Sequence, residues 1–289
     1  MSTINRRIAG APATWGICEV PDWGFQLAAE RVLSDMQHIG LTHTELGPDD
    51  FLPRDPDRLK KFLAEYQMQA LGAFCPIPLH SDQAAVRQQG TAILRTFDAV
   101  DASVMVISAD AGSANYDGYR PLADDEWKQL LSNVSAVAQM ATEAGVTACV
   151  HPHMGTMIQT RADVERFLQG CDVPLCLDTG HLLIGGTDPV QLALDVPERI
   201  AHVHFKDVDP AVLATVRSGQ RSYTEGVRDG MYRVLGQGAI DLPAIVNSLE
   251  TSGYRGWFVP EQDRILATEA DGAGTSADAI ASVRFLAGI

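Results

Sequence analysis

Eight short apolar runs alternate with amphipathic helical patterns along almost the entire chain, and no other feature of the sequence constrains the fold as strongly. The runs that predict strands cover residues 8–15, 42–47, 69–75, 103–108, 147–153, 174–180, 201–207 and 256–262. Apolar residues at three- and four-residue spacing predict helices over 25–39, 56–67, 83–99, 124–144, 161–169, 188–195, 241–252 and 275–287. Because each helix returns the chain to the same end of the sheet, strands in this order are parallel.

Eight strand–helix units within 289 residues match the size of one (β/α)8 TIM barrel. We therefore predict a single α/β domain over residues 1–289, with an eight-stranded parallel barrel and an active-site mouth at the C-terminal strand ends. A doubly wound open sheet is the alternative, but no glycine-rich phosphate-binding motif follows the first strand. Residues 208–238 are polar and too long for an ordinary connection. We predict that they form an irregular insertion near the mouth.

Four consecutive strands end in side chains that bind metals or ionise, and this repetition is the strongest functional signal. These side chains are His151 and His153, Asp178 and His181, His204 and Lys206, and Glu261. In a barrel the C-terminal ends of the strands converge on one mouth, so the groups lie close together. Buried imidazoles and carboxylates without partners are costly, and one divalent cation satisfies several of them. The pattern predicts a metal centre with open positions, suited to Lewis-acid catalysis.

Each of these residues has a simpler explanation when it is taken alone. Asp178 lies in an Asp-Thr-Gly turn sequence, and a single histidine in a strand is more often a core residue. Side chains two residues apart share a strand face, so the spacing does not decide whether His151 or His153 is the ligand. The same alternation places His202 in a layer below His204.

Earlier strand ends add three candidate residues to the mouth. Glu45 is a carboxylate at a position where substrate would lie, although a salt bridge to a neighbouring strand is the alternative. Trp15 forms either an apolar wall against a sugar ring or part of the core. His80, after the third strand, is a further candidate for contact with substrate. On the opposite side of the mouth, Lys206 and Asp207 also fit a solvated ion pair at the rim.

Charge and composition argue against several classes of partner. The formal net charge of −15 opposes binding to nucleic acid, which requires a basic surface. No run approaches the roughly 20 apolar residues of a membrane span, and the N-terminal stretch MSTINRRIAG lacks the apolar segment of a signal peptide. The five cysteines form no CxxC pair, which favours reduced thiols in a cytoplasmic protein. We expect a small-molecule substrate, no nucleic acid and no membrane.

Six segments resemble the inosose dehydratase (2-keto-myo-inositol dehydratase) family, within the sugar phosphate isomerase/epimerase superfamily of xylose isomerase-like barrels. The segments are APATWGICEVPDWG at 11–24, HTELGPDDFLP at 43–53, HPHMGTMI at 151–158, LDTGHLLIGGTDP at 177–189, HVHFKDV at 202–208 and GWFVPEQD at 256–263. Together they span nearly the whole chain. The TELGP, HPHMGT and VHFKDV stretches are much more specific than the bare metal pattern of the superfamily.

This resemblance implies metal ligands at Asp178, His204 and Glu261, which match the last three members of the superfamily's Glu-Asp-His-Glu order. His151 stands where many members have the first Glu, and this departure leaves the fourth ligand open. His181 corresponds to a histidine that contacts the substrate. The resemblance implies Mn²⁺ or Co²⁺ as the cofactor, with Zn²⁺, Fe²⁺ and Mg²⁺ as alternatives, and a cyclic polyol or keto-sugar as the substrate.

The implied reaction is removal of water from 2-keto-myo-inositol or a similar cyclic keto-sugar through an enediolate. A base must take the proton alpha to the carbonyl, and an acid must protonate the departing hydroxyl. Lys206 and His181 are candidates for the polarising or protonating group, and Glu45 and Glu261 for the base. A nearby cation keeps a bound carboxylate ionised, so Glu45, which lacks an obvious partner, or a histidine is preferred as the base.

Other functions share much of this site. A metal-dependent ketose isomerase or epimerase, or a 3-keto-sugar lyase, would use the same ion and nearly the same residues. A DNA-repair barrel of the superfamily needs a basic face, which the net charge opposes, and a sugar-binding barrel without catalysis would hold no metal. Barrels of this size often pair, and the sequence leaves a homodimer or homotetramer open.

Overall fold

The computed structural model describes residues 7–289, and the predicted alternation of strands and helices is present within them. The strands are β1 His43–Glu45, β2 Gln69–Ile77, β3 Val104–Ala109, β4 Thr147–Val150, β5 Leu175–Asp178, β6 Ile200–Phe205, β7 Asp207–Val208, β8 Tyr232–Arg233 and β9 Phe258–Pro260. Strands β1 to β6 and β9 form one parallel sheet in that order, and β7 pairs antiparallel with β8. Residues 1–6 lie outside the described residues. They are part of the predicted domain and of the N-terminal stretch that was expected to lack a signal peptide.

The segment before β1 closes the sheet into a barrel. It does so through two isolated parallel bridges, Ile8–Phe258 and Gly10–Thr44. The strand predicted over 8–15 is therefore only partly correct, because Pro12–Trp15 form a short 3₁₀ turn instead. Proline suits the start of such a turn, since its φ is fixed and it has no N–H to give to a strand ladder. This short segment therefore takes the place of the eighth strand of the barrel.

Eleven helices are described, of which eight agree closely with the predicted ones and three short ones, at 179–184, 210–217 and 223–228, were not predicted. They are α1 Ala29–Ile39, α2 Pro56–Glu65, α3 Gln83–Val100, α4 Asp124–Glu143, α5 Arg161–Gly170, α6 Thr179–Ile184, α7 Pro189–Asp195, α8 Pro210–Arg217, α9 Tyr223–Arg228, α10 Leu242–Thr251 and α11 Gly272–Gly288. Two starts show the local cause, because Asp55 and Asp188 cap α2 and α7 directly before a proline. Among the helices of residues 7–289, none is both long and apolar enough to cross a membrane.

The segment 208–238 was predicted to be irregular, and this was wrong. It contains α8, α9 and the β7–β8 pair. Asp207 stabilises the end of the segment, because its fully buried carboxylate accepts backbone N–H groups from Val208, Gly236, Gly238 and Ile240. Because these hydrogen bonds hold Asp207 in the interior, it does not form the solvated ion pair with Lys206 at the rim that was the alternative.

The interior of the barrel changes from apolar to polar along the strands. Its apolar layer is a separate cluster of small and branched side chains, Ala9, Ala11, Leu71, Val104, Val106, Cys149, Cys176 and Val259. Because side chains two apart share a face, the same strand faces continue into His151, Asp178 and Glu261 at the mouth. All five cysteines are free, and four of them are buried, as the sequence predicts.

Candidate metal centre

The C-terminal ends of β5, β6 and β9 bring three predicted ligands together inside the barrel. Asp178, His204 and Glu261 each offer one ligand atom, and these atoms lie within 4.8 Å of one another. His204 Nδ1 is 3.2 Å from Glu261 Oε2 and 3.9 Å from Asp178 Oδ2. All three side chains are buried. One imidazole nitrogen and two carboxylate oxygens therefore face a common point, which is a donor set suited to a divalent transition metal.

Of the two histidines after β4, only His151 adjoins this point. His151 Nε2 lies 3.2 Å from Asp178 Oδ2. His153 Nδ1 instead donates to the carbonyl of Met154 at 2.7 Å, and its ring packs against His181 with 3.7 Å between ring centroids. The geometry thus separates two residues that the sequence could not, because both line the cavity but only His151 lies beside the predicted ligands.

Glu45 was predicted to lack an obvious partner, and this premise is wrong. Its buried Oε1 accepts hydrogen bonds from Nε2 of His202 and Nε2 of His204, both at 2.9 Å. Burial favours a raised pKa for Glu45, but the charge and hydrogen bonds of the two imidazoles outweigh it and lower the pKa. With Nε2 held in this way, the buried Nδ1 of His204 has no hydrogen-bond partner among the described residues. That nitrogen points toward Asp178 and Glu261, as a ligand oriented by a carboxylate would.

Lys206 lies at the same point, with its ammonium among three carboxylates. Nζ is 2.6 Å from Asp178 Oδ2 and 3.6 Å from Asp263 Oδ1, and it also contacts Glu261 Oε2. Burial lowers the pKa of Lys206, but the charges of Asp178, Asp263 and Glu261 outweigh it and raise the pKa well above its ordinary value. Lys206 is therefore a buried cation rather than a rim residue. Two of the oxygen atoms that it contacts, Asp178 Oδ2 and Glu261 Oε2, are the same atoms that lie near His204 Nδ1.

Two further groups in the barrel bring three potential ligands within 4.8 Å of one another, and both include His204. They are Glu45 with His202 and His204, and His151 with Cys176 and His204. In the first group both Nε2 atoms already donate to Glu45. In the second, burial raises the pKa of Cys176 well above its ordinary value, which disfavours the thiolate that a metal requires. The group of Asp178, His204 and Glu261 contains no thiol, and among residues 7–289 its His204 Nδ1 has no hydrogen-bond partner, while its two oxygen atoms accept hydrogen bonds from Lys206.

His181 lies behind His153 and does not reach the cavity wall. It belongs to the first turn of α6, where its backbone N–H donates to Asp178 Oδ1 at 2.8 Å. Its Nε2 is 3.5 Å from Asp263 Oδ2, and its Nδ1 is 3.5 Å from the Tyr232 hydroxyl. Among residues 7–289, His181 is not part of the cavity lining, and its contact with substrate stays a prediction.

Trp15 and His80 also lie away from the mouth. Trp15 is 1% exposed, and its indole donates to Asp35 at 3.2 Å, so it is a core residue. His80 is half-buried after β2. Neither residue is among the described residues that line the cavity, and their predicted contact with substrate is therefore not supported.

A cavity of about 990 Å³ opens above the predicted ligands, and aromatic residues that the sequence analysis missed form part of its wall. The ring of Tyr116 packs against His153 and Trp23, with centroid distances of 4.5 and 5.7 Å. Its hydroxyl donates to Glu19, which joins two loops across the mouth. In the sequence, Trp23 and Glu19 could have been found through segment 11–24, which contains both residues and resembles the dehydratase family.

Comparison with known proteins identifies the family. The family described as "Xylose isomerase-like TIM barrel" matches residues 33–285. The chain belongs to this family. As a xylose isomerase-like barrel, it is 31% identical over 275 residues to an inosose dehydratase of Lacticaseibacillus casei (strain BL23), covering 91% of each chain. It is 32% identical over 276 residues to the rhizopine catabolism protein MocC of Rhizobium meliloti, covering 91% of this chain and 83% of that protein.

A solved structure supports the same fold. The crystal structure of the IOLI protein with a zinc atom superposes on this xylose isomerase-like barrel with a TM-score of 0.70, over 97% of this chain and 96% of the other. The two sequences are 15% identical, so the likeness concerns the fold. The predicted barrel is confirmed by the family match and by this superposition.

Replacing Glu45 by glutamine in this xylose isomerase-like barrel is expected to weaken Mn²⁺ binding by about ten- to hundredfold. The amide carries no charge and has a single acceptor oxygen, so it orients His204 less strongly. Titration calorimetry of chelator-treated protein measures the change. Glu19→Gln is the matched control, because Glu19 lines the cavity but bonds to Tyr116, and it should leave the affinity unchanged. Equal affinities for E45Q and the parent protein would show that Glu45 does not orient a ligand.

Proposed function

We propose that this protein is a metal-dependent hydro-lyase that removes water from 2-keto-myo-inositol or a closely similar cyclic keto-sugar. The observation that carries the proposal is the convergence of Asp178, His204 and Glu261 on one point beneath a large cavity. His151 lies beside Asp178, and we propose it as the fourth ligand. Relatives named inosose dehydratase at 31% identity support the substrate class. A barrel of the same fold that holds zinc supports a divalent ion, which we expect to be Mn²⁺ or Co²⁺ here.

Two residues near the proposed ligands supply the base and the acid of the reaction. When bound, the ion supplies Lewis-acid stabilisation of the charge that develops on the ketone oxygen. His153 Nδ1 donates to Met154, so its Nε2 keeps a lone pair. Because His153 lines the cavity, we assign it as the base that takes the proton alpha to the carbonyl. The carbon–oxygen bond beta to the carbonyl then breaks, and Lys206 donates the proton that lets the hydroxyl leave as water. Proton exchange with solvent restores both side chains.

Incubation with 2-keto-myo-inositol and Mn²⁺ or Co²⁺ tests the proposal. We expect the ultraviolet absorbance of a conjugated dione to grow, and we expect none of it after removal of the metal with a chelator. An unchanged absorbance, together with exchange of ring hydrogens for solvent deuterium and altered stereochemistry, would show that the protein is an epimerase or isomerase instead.

Paired substitutions of the two neighbouring histidines separate base from ligand. His153→Gln is expected to lower turnover about a hundredfold or more, because general-base catalysis is lost, while Mn²⁺ affinity stays within about twofold. His151→Gln is expected to weaken Mn²⁺ binding, because the side chain beside Asp178 is removed. Steady-state kinetics at saturating metal and calorimetric titration measure the two effects. The same loss of affinity in both variants would place His153 among the ligands and leave the base unassigned.

A further inference from the structure

The cavity extends past the metal centre into a second region that dehydration of a free ring does not use. We call this region the outer lobe. It lies between the loop after β1, helix α2 and helix α3, and it is lined by Phe51, Leu52, Leu59, Ile93 and Phe97. It belongs to the same cavity as His204, Lys206 and Glu261, so a single ligand can occupy both regions.

The two ends of the cavity differ in chemistry. The inner end contains the ionisable groups of the metal centre, whereas these five side chains of the outer lobe are hydrocarbon. The same loop and helix also contribute polar side chains to the cavity lining, namely Asp49, Asp50, Arg54, Gln89 and Thr96. Leu52, Leu59 and Phe97 are buried, but Phe51 and Ile93 are only half-buried. Covering such surface with a ligand is favourable by roughly 25 cal/mol per Å² of apolar area removed from water. The outer lobe therefore favours a group that is partly apolar.

The size of the cavity supports the same conclusion. Pockets of roughly 300–1,000 Å³ hold drug-sized ligands, and the volume here is about 990 Å³. A single six-membered keto-sugar is much smaller than such a ligand, and with its ring at the metal centre it would leave the outer lobe filled with water. A ring that carries a bulky substituent would fill both regions.

We propose that the preferred substrate is a cyclic keto-sugar with a bulky, partly apolar substituent, which occupies the outer lobe while the ring lies at the metal centre. The position of the ring rests on the proposed function. The apolar side chains of the outer lobe and the volume of the whole cavity support the substituent.

The test compares 2-keto-myo-inositol with its mono-O-benzyl ether, in which the reacting positions are free. We expect the parent protein to turn over the ether with a kcat/KM at least about tenfold higher, the scale expected for burying an apolar group. Ile93→Trp fills the outer lobe from α3 without touching the metal centre. It should lower kcat/KM for the ether about tenfold or more and leave that for the free ring within about twofold. Gln88→Trp, on the exposed face of the same helix, should change neither value.

A second variant provides a result that does not depend on the folding of I93W, and a binding measurement provides one that does not depend on turnover. Phe51→Ala removes lobe surface instead of filling the lobe, and it should also reduce the preference for the ether. Calorimetry with O-benzyl-myo-inositol and myo-inositol, neither of which is a ketone, should show tighter binding of the benzyl compound and loss of this difference in I93W. If neither ketone is turned over but the difference in binding between the two inositols persists, the proposed function is wrong and the role of the outer lobe is supported. Equal kcat/KM values for both ketones in the parent protein, equal losses in I93W, or occupation of the lobe by a second copy of the chain would overturn the inference.

Discussion

Replacing Asp178 by asparagine is expected to abolish tight metal binding and to lower kcat/KM about a thousandfold or more. Asp178 Oδ2 faces His204 Nδ1 and lies 3.2 Å from His151 Nε2, so it is central to the proposed ligand set. Loss of an interaction worth about 4 kcal/mol in the transition state corresponds to three powers of ten in rate. Asparagine keeps the side-chain oxygen that accepts the backbone N–H of His181, so the start of α6 is preserved.

Asp188→Asn is the matched control for this substitution. Asp188 caps α7 in the same way, through hydrogen bonds from Val190 N and Gln191 N, but it lies outside the metal centre. Metal content and kcat/KM of D188N should equal those of the parent protein. A D178N variant that kept a full equivalent of Mn²⁺ and more than a tenth of the activity would contradict the ligand assignment.

Replacing Lys206 by methionine is expected to destabilise the metal-free protein by about 3–5 kcal/mol, the scale for removing one partner of a buried ion pair. The ammonium is the cation that Asp178, Glu261 and Asp263 share, and methionine leaves these carboxylates uncompensated. Mn²⁺ should restore much of the lost stability, because it provides positive charge at the same oxygen atoms. The ion should therefore stabilise K206M more than the parent protein. Urea unfolding in chelator and in Mn²⁺ measures both effects.

An exposed lysine on α4 provides the comparison for Lys206. Lys128 pairs with Asp125 at the surface, and its side chain is 78% exposed. Lys128→Met should change the free energy of unfolding by less than about 0.5 kcal/mol, with or without metal. If K206M were as stable as K128M in chelator, the carboxylates around Lys206 would not depend on its charge, and the expected gain in stability from Mn²⁺ would lose its basis.

The residues that sequence analysis located best are those whose position follows from strand topology. Parallel strands end at one mouth, and alternation assigns every second residue to the barrel interior. These two rules placed Asp178, His204 and Glu261 together without knowledge of any distance. They also place Asp263 two residues beyond Glu261 on the same side, a signal that the sequence analysis did not use.

Contacts across the barrel and in the loops were not predictable in the same way. Glu45 and His204 are 159 positions apart, and no local pattern shows that β1 and β6 bring their side chains within 2.9 Å. The sequence left Trp15 open between the cavity wall and the core, and the 3₁₀ turn that starts at Pro12 places its indole in the core. Tyr116 lies in a loop, where residue type and spacing do not predict which way a ring points.

The most direct test of the central claim is anomalous diffraction at the cobalt absorption edge from crystals grown with Co²⁺. The claim predicts one strong peak within coordination distance of Asp178, His204 Nδ1 and Glu261, with the Lys206 ammonium moved away from the shared oxygens toward Asp263. A peak among Glu45, His202 and His204, or no peak inside the barrel at saturating Co²⁺, would contradict it.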